Sequence, residues 1–229
     1  MSILQIVRFG GKAAAIVALA AGVALAAPVS AKPIVKTKVK SYSVPGTSPH
    51  ALLTYMQRNG PNVNGSHALA STAASIHHKA DFQGTRNCKI KNYKLTMSFE
   101  ITLPKATQAK SMKRSVRKRW KQFVSHARWH ENRHKAIWLG CAKRIERKVR
   151  ALSGSSSCNA VWAKAKAVAK VELARCDRLH AAFDRKETAR ASRIPLIAQA
   201  LRAPRSRSGA AALRRSLTFR HSRVQAINR

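Results

Sequence analysis

The clearest pattern in the chain is an alternation. Tyr93, Leu95, Met97, Phe99, Ile101 and Leu103 are apolar, and Lys94, Thr96, Ser98, Glu100 and Thr102 between them are polar. Successive side chains on a strand point to opposite faces, so a period of two predicts a β-strand with one buried face. Pro104 closes it. Residues 70–82 are the expected antiparallel partner, with 81–87, which contains Gly84, as the hairpin loop. Further along, the period lengthens. Trp120, Phe123, Val124, Ala127, His130, His134, Ile137, Trp138, Cys141, Ile145, Val149 and Leu152 recur three and four apart. That is one face of a helix, either continuous or broken near Ser125. A Ser/Gly loop over 153–157 follows, then a second helical face from Val161 through Leu173, Cys176 and Leu179 to Phe183, with Asn159 as the expected cap. Upstream, 32–40 reads as extended, 51–58 as a short helix and 59–65 as a loop of breakers.

These elements predict an α+β fold, with a small antiparallel sheet packed beside two long antiparallel helices. Beyond Arg185 the pattern gives way to Arg, Ser and Ala, so 186–229 is expected to be a basic, disordered tail and 32–185 the folded domain. Residues 1–31 read as a signal peptide. Arg8 and Lys12 form a positive start, an unbroken apolar run covers 13–27, and Val29-Ser30-Ala31 offers small residues for cleavage. The mature protein is then expected to be secreted or periplasmic, with no stable membrane span after cleavage.

Export changes how Cys88, Cys141, Cys158 and Cys176 are read. An even count in an oxidising compartment predicts two disulfides, and no pair has the close spacing of a zinc site. Three pairings are open. The preferred one, Cys88–Cys158 with Cys141–Cys176, ties the two long helices together.

The formal charge is +37, from 45 basic and eight acidic residues. Such a field draws polyanions and says little about fold. Lys110, Lys113, Arg114, Arg117, Lys118, Arg119 and Lys121 are read as the solvated face of a cationic helix. Possible partners include anionic envelope polymers, and nucleic acid is not the expected one. The charge also makes every carboxylate worth inspecting.

One stretch carries specific chemistry: His130-Glu131-Asn132-Arg133-His134. Four residues apart on a helix, His130 and His134 share a face and can hold one zinc ion. Glu131 stands beside the position left open. Zinc lowers the pKa of a bound water towards neutrality, and Glu131 can take its proton as a general base. Catalytic zinc normally has three protein ligands. His180 on the second helix is the candidate third, with Asp177 and Asp184 on neighbouring positions as alternatives. His77 and His78 point to opposite faces of a strand and make poor joint ligands. No phosphate-binding glycine loop, serine nucleophile elbow or paired catalytic carboxylates occur.

The order of these features resembles a bacterial family described as predicted secreted zinc-dependent proteases, long classed as a domain of unknown function. The resemblance covers roughly 40–185. It rests on Tyr42, Gly46, Gly60-Pro61, Gly65, Ala70, Thr72, Cys88, Leu103-Pro104, Trp120, Phe123, the His130–His134 motif, Arg144-Ile145-Glu146 and Cys158. It implies a zinc-dependent peptidase acting on peptide or protein substrates, with Cys88 paired to Cys158. It also shows a departure. The family closes with Tyr-Asp followed by Thr-x-His-Gly, whose histidine is the natural third ligand. Phe183-Asp184 matches the start, but Ala189 and Arg190 stand at the His-Gly positions. The resemblance favours Asp184 as a partner of the ligands. The competing expectations are a cationic binding protein for envelope polyanions or nucleic acid, and a degenerate, non-catalytic peptidase.

Overall fold

The computed structural model describes residues 33–202 and the backbone of two further short segments, Arg220–His221 and Gln225–Ile227. The expected signal peptide lies outside the described residues. No helix among those described is long and apolar enough to cross a membrane.

The fold is α+β. Strands β1 (Ile34–Val44), β4 (Ser71–Gln83) and β5 (Lys89–Ala106) form the main sheet, and β2 (Asn62–Val63) and β3 (Ser66–His67) form a separate hairpin. The helices are α1 (Pro49–Asn59), α2 (Arg114–Arg150), α3 (Cys158–Ala191) and α4 (Pro195–Leu201). The six alternating apolar residues of β5 are each no more than 3% exposed, as their period requires. β4 pairs antiparallel with β5, with an irregularity between Asp81 and Phe82. The sheet as a whole is mixed. β1 joins the far side of β5 in parallel, and the short strands β6 (Arg220–His221) and β7 (Gln225–Ile227) join β4 in parallel. The breaker loop is itself a hairpin. Val63 pairs with Ser66 across Asn64 and Gly65, both at positive φ (53° and 78°). Asn-Gly is the dipeptide that tolerates this left-handed two-residue turn.

α2 is one continuous helix of 37 residues with no break near Ser125. Its buried positions divide. Val116, Trp120, Phe123 and Ala127 pack with α1, α4 and one end of the sheet. Trp138, Cys141, Ala142, Ile145 and Val149 pack with β4, β5 and α3. α3 returns antiparallel to α2, as the pairs His134–His180, Cys141–Cys176 and Arg144–Glu172 show. Its cap is Ser157, whose hydroxyl accepts from the Ala160 amide at 3.2 Å, in place of the expected Asn159. Ser157 has the extended backbone that a cap requires, whereas Asn159 is already inside the helix. The disulfides are Cys88–Cys158 and Cys141–Cys176.

The chain after Arg185 departs from the expected tail. α3 continues to Ala191, and Leu196, Ile197 and Ala200 of α4 are fully buried against α1 and α2. Pro195 pre-sets the first turn of α4, and three apolar side chains give this short helix a face to bury. Folded structure therefore extends through 202.

Candidate metal centre

Along α2, the first apolar cluster ends at Ala127 and the second begins at Trp138. His130, Glu131 and His134 fill the interval, each with no exposed surface. A polar layer thus separates two apolar cores. Burying such groups is costly unless each finds a partner. α3 supplies partners from the opposite side.

The His130 and His134 Nε2 atoms are 3.0 Å apart. Asp184 Oδ1 lies 2.9 Å from His134 Nε2 and 3.4 Å from His130 Nε2. Two imidazole nitrogens and one carboxylate oxygen therefore make a nearly regular triangle. A zinc ion with bonds of about 2.0–2.1 Å and tetrahedral angles spaces its ligand atoms by about 3.3 Å. The triangle and the chemistry of the donor set fit that ion. The other edge of the His134 ring faces His180, with the two Nδ1 atoms 2.8 Å apart. His180 in turn packs on Trp138, ring centres 4.4 Å apart. Phe183 closes another side, 4.7 Å from the His130 ring and 5.1 Å from the His134 ring.

Glu131 faces the sheet. The Thr72 hydroxyl lies 2.8 Å from its Oε2 and 3.1 Å from its carbonyl oxygen, and donates to them. Its Oε1 is buried and has no hydrogen-bond partner among the described residues. Burial pushes the Glu131 carboxyl well above the usual carboxylate range. The Thr72 hydrogen bond opposes this, and the nearby Asp184 charge adds to it. A buried carboxyl with a raised pKa beside a cluster of imidazoles is a candidate for receiving and releasing a proton.

The chain belongs to a bacterial family of unknown function, DUF922, which matches residues 39–191. No curated protein and no solved structure matches it. The DUF922 region contains the whole cluster and Thr72, and it ends at the last residue of α3. Within it, the sequence-derived residues His130, Glu131, His134 and His180 come together, and Asp184 completes the triangle with His130 and His134. Asp177 does not; it lines a groove on another side of α3. Arg133, the cation inside the motif, is exposed, and so is Ala189, where the resembling family has histidine. Sequence reasoning missed Thr72 as the partner of Glu131, although Thr72 was among the residues that carried the resemblance. It also missed a further layer one turn along, where His126 Nε2 lies 3.5 Å from Glu187 Oε2. Burial holds the His126 pKa below its ordinary value; the Glu187 charge works against this and His130 works with it.

Proposed function

We propose that this protein is a zinc-dependent peptidase acting outside the cytoplasm, with His130, His134 and Asp184 as ligands and Glu131 as general base. The triangle of ligand atoms with Glu131 next to it in sequence carries this reading. Zinc held by these three residues would supply a Lewis acid that lowers the pKa of a water towards neutrality. Glu131 would take a proton from the attacking water, with Thr72 holding its carboxylate in place, and the same carboxyl would return that proton to the leaving amine. His180, hydrogen-bonded to His134 Nδ1, keeps the opposite nitrogen turned towards the triangle, the usual work of an outer partner. The two disulfides support an oxidising compartment, secreted or periplasmic.

A second reading is a cationic binder of envelope polyanions that has lost catalysis. It draws on the charge of +37 and on Ala189 standing where the resembling family has its histidine. Two measurements separate the readings. Elemental analysis of the disulfide-bonded protein is expected to find one zinc per chain, lost in His134→Ala. Glu131→Gln is expected to keep its zinc while hydrolysis of unfolded protein substrates falls by about 10²–10⁴-fold. A zinc-free parent protein under zinc-replete conditions would remove the peptidase reading.

A further inference from the structure

Apart from the ligand triangle, a cavity of about 450 Å³ lies between α3 and the β4–β5 hairpin. That is a size usual for small-molecule sites. Its α3 wall repeats at three and four residues from Trp162 to Asp177, so it runs about four helical turns, on the order of 22 Å. The cavity is thus elongated along α3, a shape that suits an unbranched chain.

Its chemistry is divided. Ala165 and Ala169 on the floor are 2% and 7% exposed, and Trp162 and Leu173 flank them. Phe82, 40% exposed, meets Trp162 edge-on and carries the apolar surface out to solvent. His78 and Tyr93 hydrogen-bond to each other, which satisfies two of the polar groups in the lining. The rim is cationic: Lys166 and Lys170, one turn apart, are both exposed. Lysine stems lie readily along apolar surface while their ammonium groups stay at the mouth. Asp177 is the acidic residue of the lining and stands at the opposite end from Trp162.

We propose that this groove binds a single-chain anionic amphiphile, a long-chain fatty acid, with its alkyl chain along Ala165, Ala169 and Leu173 and its carboxylate at Lys166 and Lys170. A simple polyanion would engage the lysines and leave the apolar floor wet. Binding needs no metal, so this inference stands apart from the peptidase reading.

The test is calorimetric titration of the full disulfide-bonded chain with saturated fatty acids of increasing length, each below its aggregation concentration. One site per chain is expected. Affinity should rise about two- to fourfold per added methylene until the groove is filled, and then level off. Ala169→Leu fills the floor and should weaken laurate binding at least tenfold. The double variant Lys166→Glu/Lys170→Glu should weaken laurate similarly and leave dodecanol binding unchanged, which keeps the test decisive if Ala169→Leu fails to fold. Absence of laurate binding overturns the proposal. So does binding of many molecules per chain that is indifferent to chain length and abolished by salt. Equal binding of the parent and Ala169→Leu to phosphatidylglycerol vesicles, with no binding of free laurate, assigns the lysines to general surface attraction and also overturns it.

Discussion

The two residues from α3 that face the histidine pair should differ sharply in their effect on zinc. Asp184 Oδ1 sits 2.9 Å and 3.4 Å from the two Nε2 atoms, on the side where both imidazoles converge. His180 sits 2.8 Å from the far nitrogen of His134. An imidazole presents its two nitrogens on different edges, so His134 can give one to a metal and the other to His180. On the proposed zinc reading, Asp184 is a direct ligand and His180 an orienting partner. Losing an orienting partner typically costs 10- to 100-fold in metal affinity, about 1.4–2.7 kcal/mol. Zinc binding of about 10–16 kcal/mol in structural sites with four protein ligands is about 2.5–4 kcal/mol per ligand, or roughly 70- to 900-fold. Competition against a chromophoric zinc chelator at neutral pH measures both. Asp184→Asn should fall in the larger range. His180→Ala should fall in the smaller, and His180→Asn, which keeps a hydrogen-bonding atom near the Nδ1 position, should recover much of that loss. A several-hundredfold loss in His180→Ala, with Asp184→Asn within tenfold of the parent, would reverse the two roles and refute the reasoning.

Three further outcomes are expected. Cys88→Ser/Cys158→Ser opens a loop of 70 residues and should lower stability by about 4 kcal/mol in guanidinium titrations. Ile197→Ala, at a fully buried site on α4, should cost about 2–4 kcal/mol in the same assay, whereas a disordered tail would show no change. Glu172→Gln should destabilise by about 1–3 kcal/mol at pH 7, because Lys148 and Arg144 both bond the buried carboxylate, at 2.6 Å and 3.0 Å. The Lys148 hydrogen bond, chiefly, holds the Glu172 carboxyl below its ordinary value of 4.5. Its contribution is therefore fully present above that pH and is lost as the pH falls through the lowered value. The gap between parent and variant, read from denaturation midpoints, should close in that acidic window.

The legible parts of the sequence were those where one local period ran unopposed. β5 alternates without interruption, and the α2 face continues through His130 and His134 because histidines at four-residue spacing fall on the same stripe as the core residues. β4 was harder to read, since Ser, His and Lys break its alternation. The parallel pairing of β1 with β5 joins Ile34 to Thr96 and Tyr42 to Pro104, and no local pattern encodes a partner some 60 residues away. α4 was hidden by composition: Leu196, Ile197 and Ala200 are three apolar positions within an Arg- and Ser-rich stretch. At the site, spacing alone gave His130, Glu131 and His134. Asp184 and Thr72 reach them only through the return of α3 and the packing of β4, so spacing within one element could not select Asp184 over His180 or Asp177.

The first strand has a consequence for handling the protein. Among the described residues nothing pairs with the outer edge of β1, and Ile34, Val35 and Val39 are 53%, 41% and 51% exposed. An open strand edge beside exposed aliphatic side chains is a template for intermolecular pairing and aggregation. Lys36, Lys38 and Lys40 stand along the same strand, all exposed, and like charges facing each other across two approaching edges oppose that pairing. The guard is electrostatic, so its reach shrinks with the Debye length, from about 10 Å at 0.1 M salt to about 3 Å at 1 M. Strong salt frees so cationic a chain from adventitious polyanions, and it also removes the repulsion that keeps its copies apart.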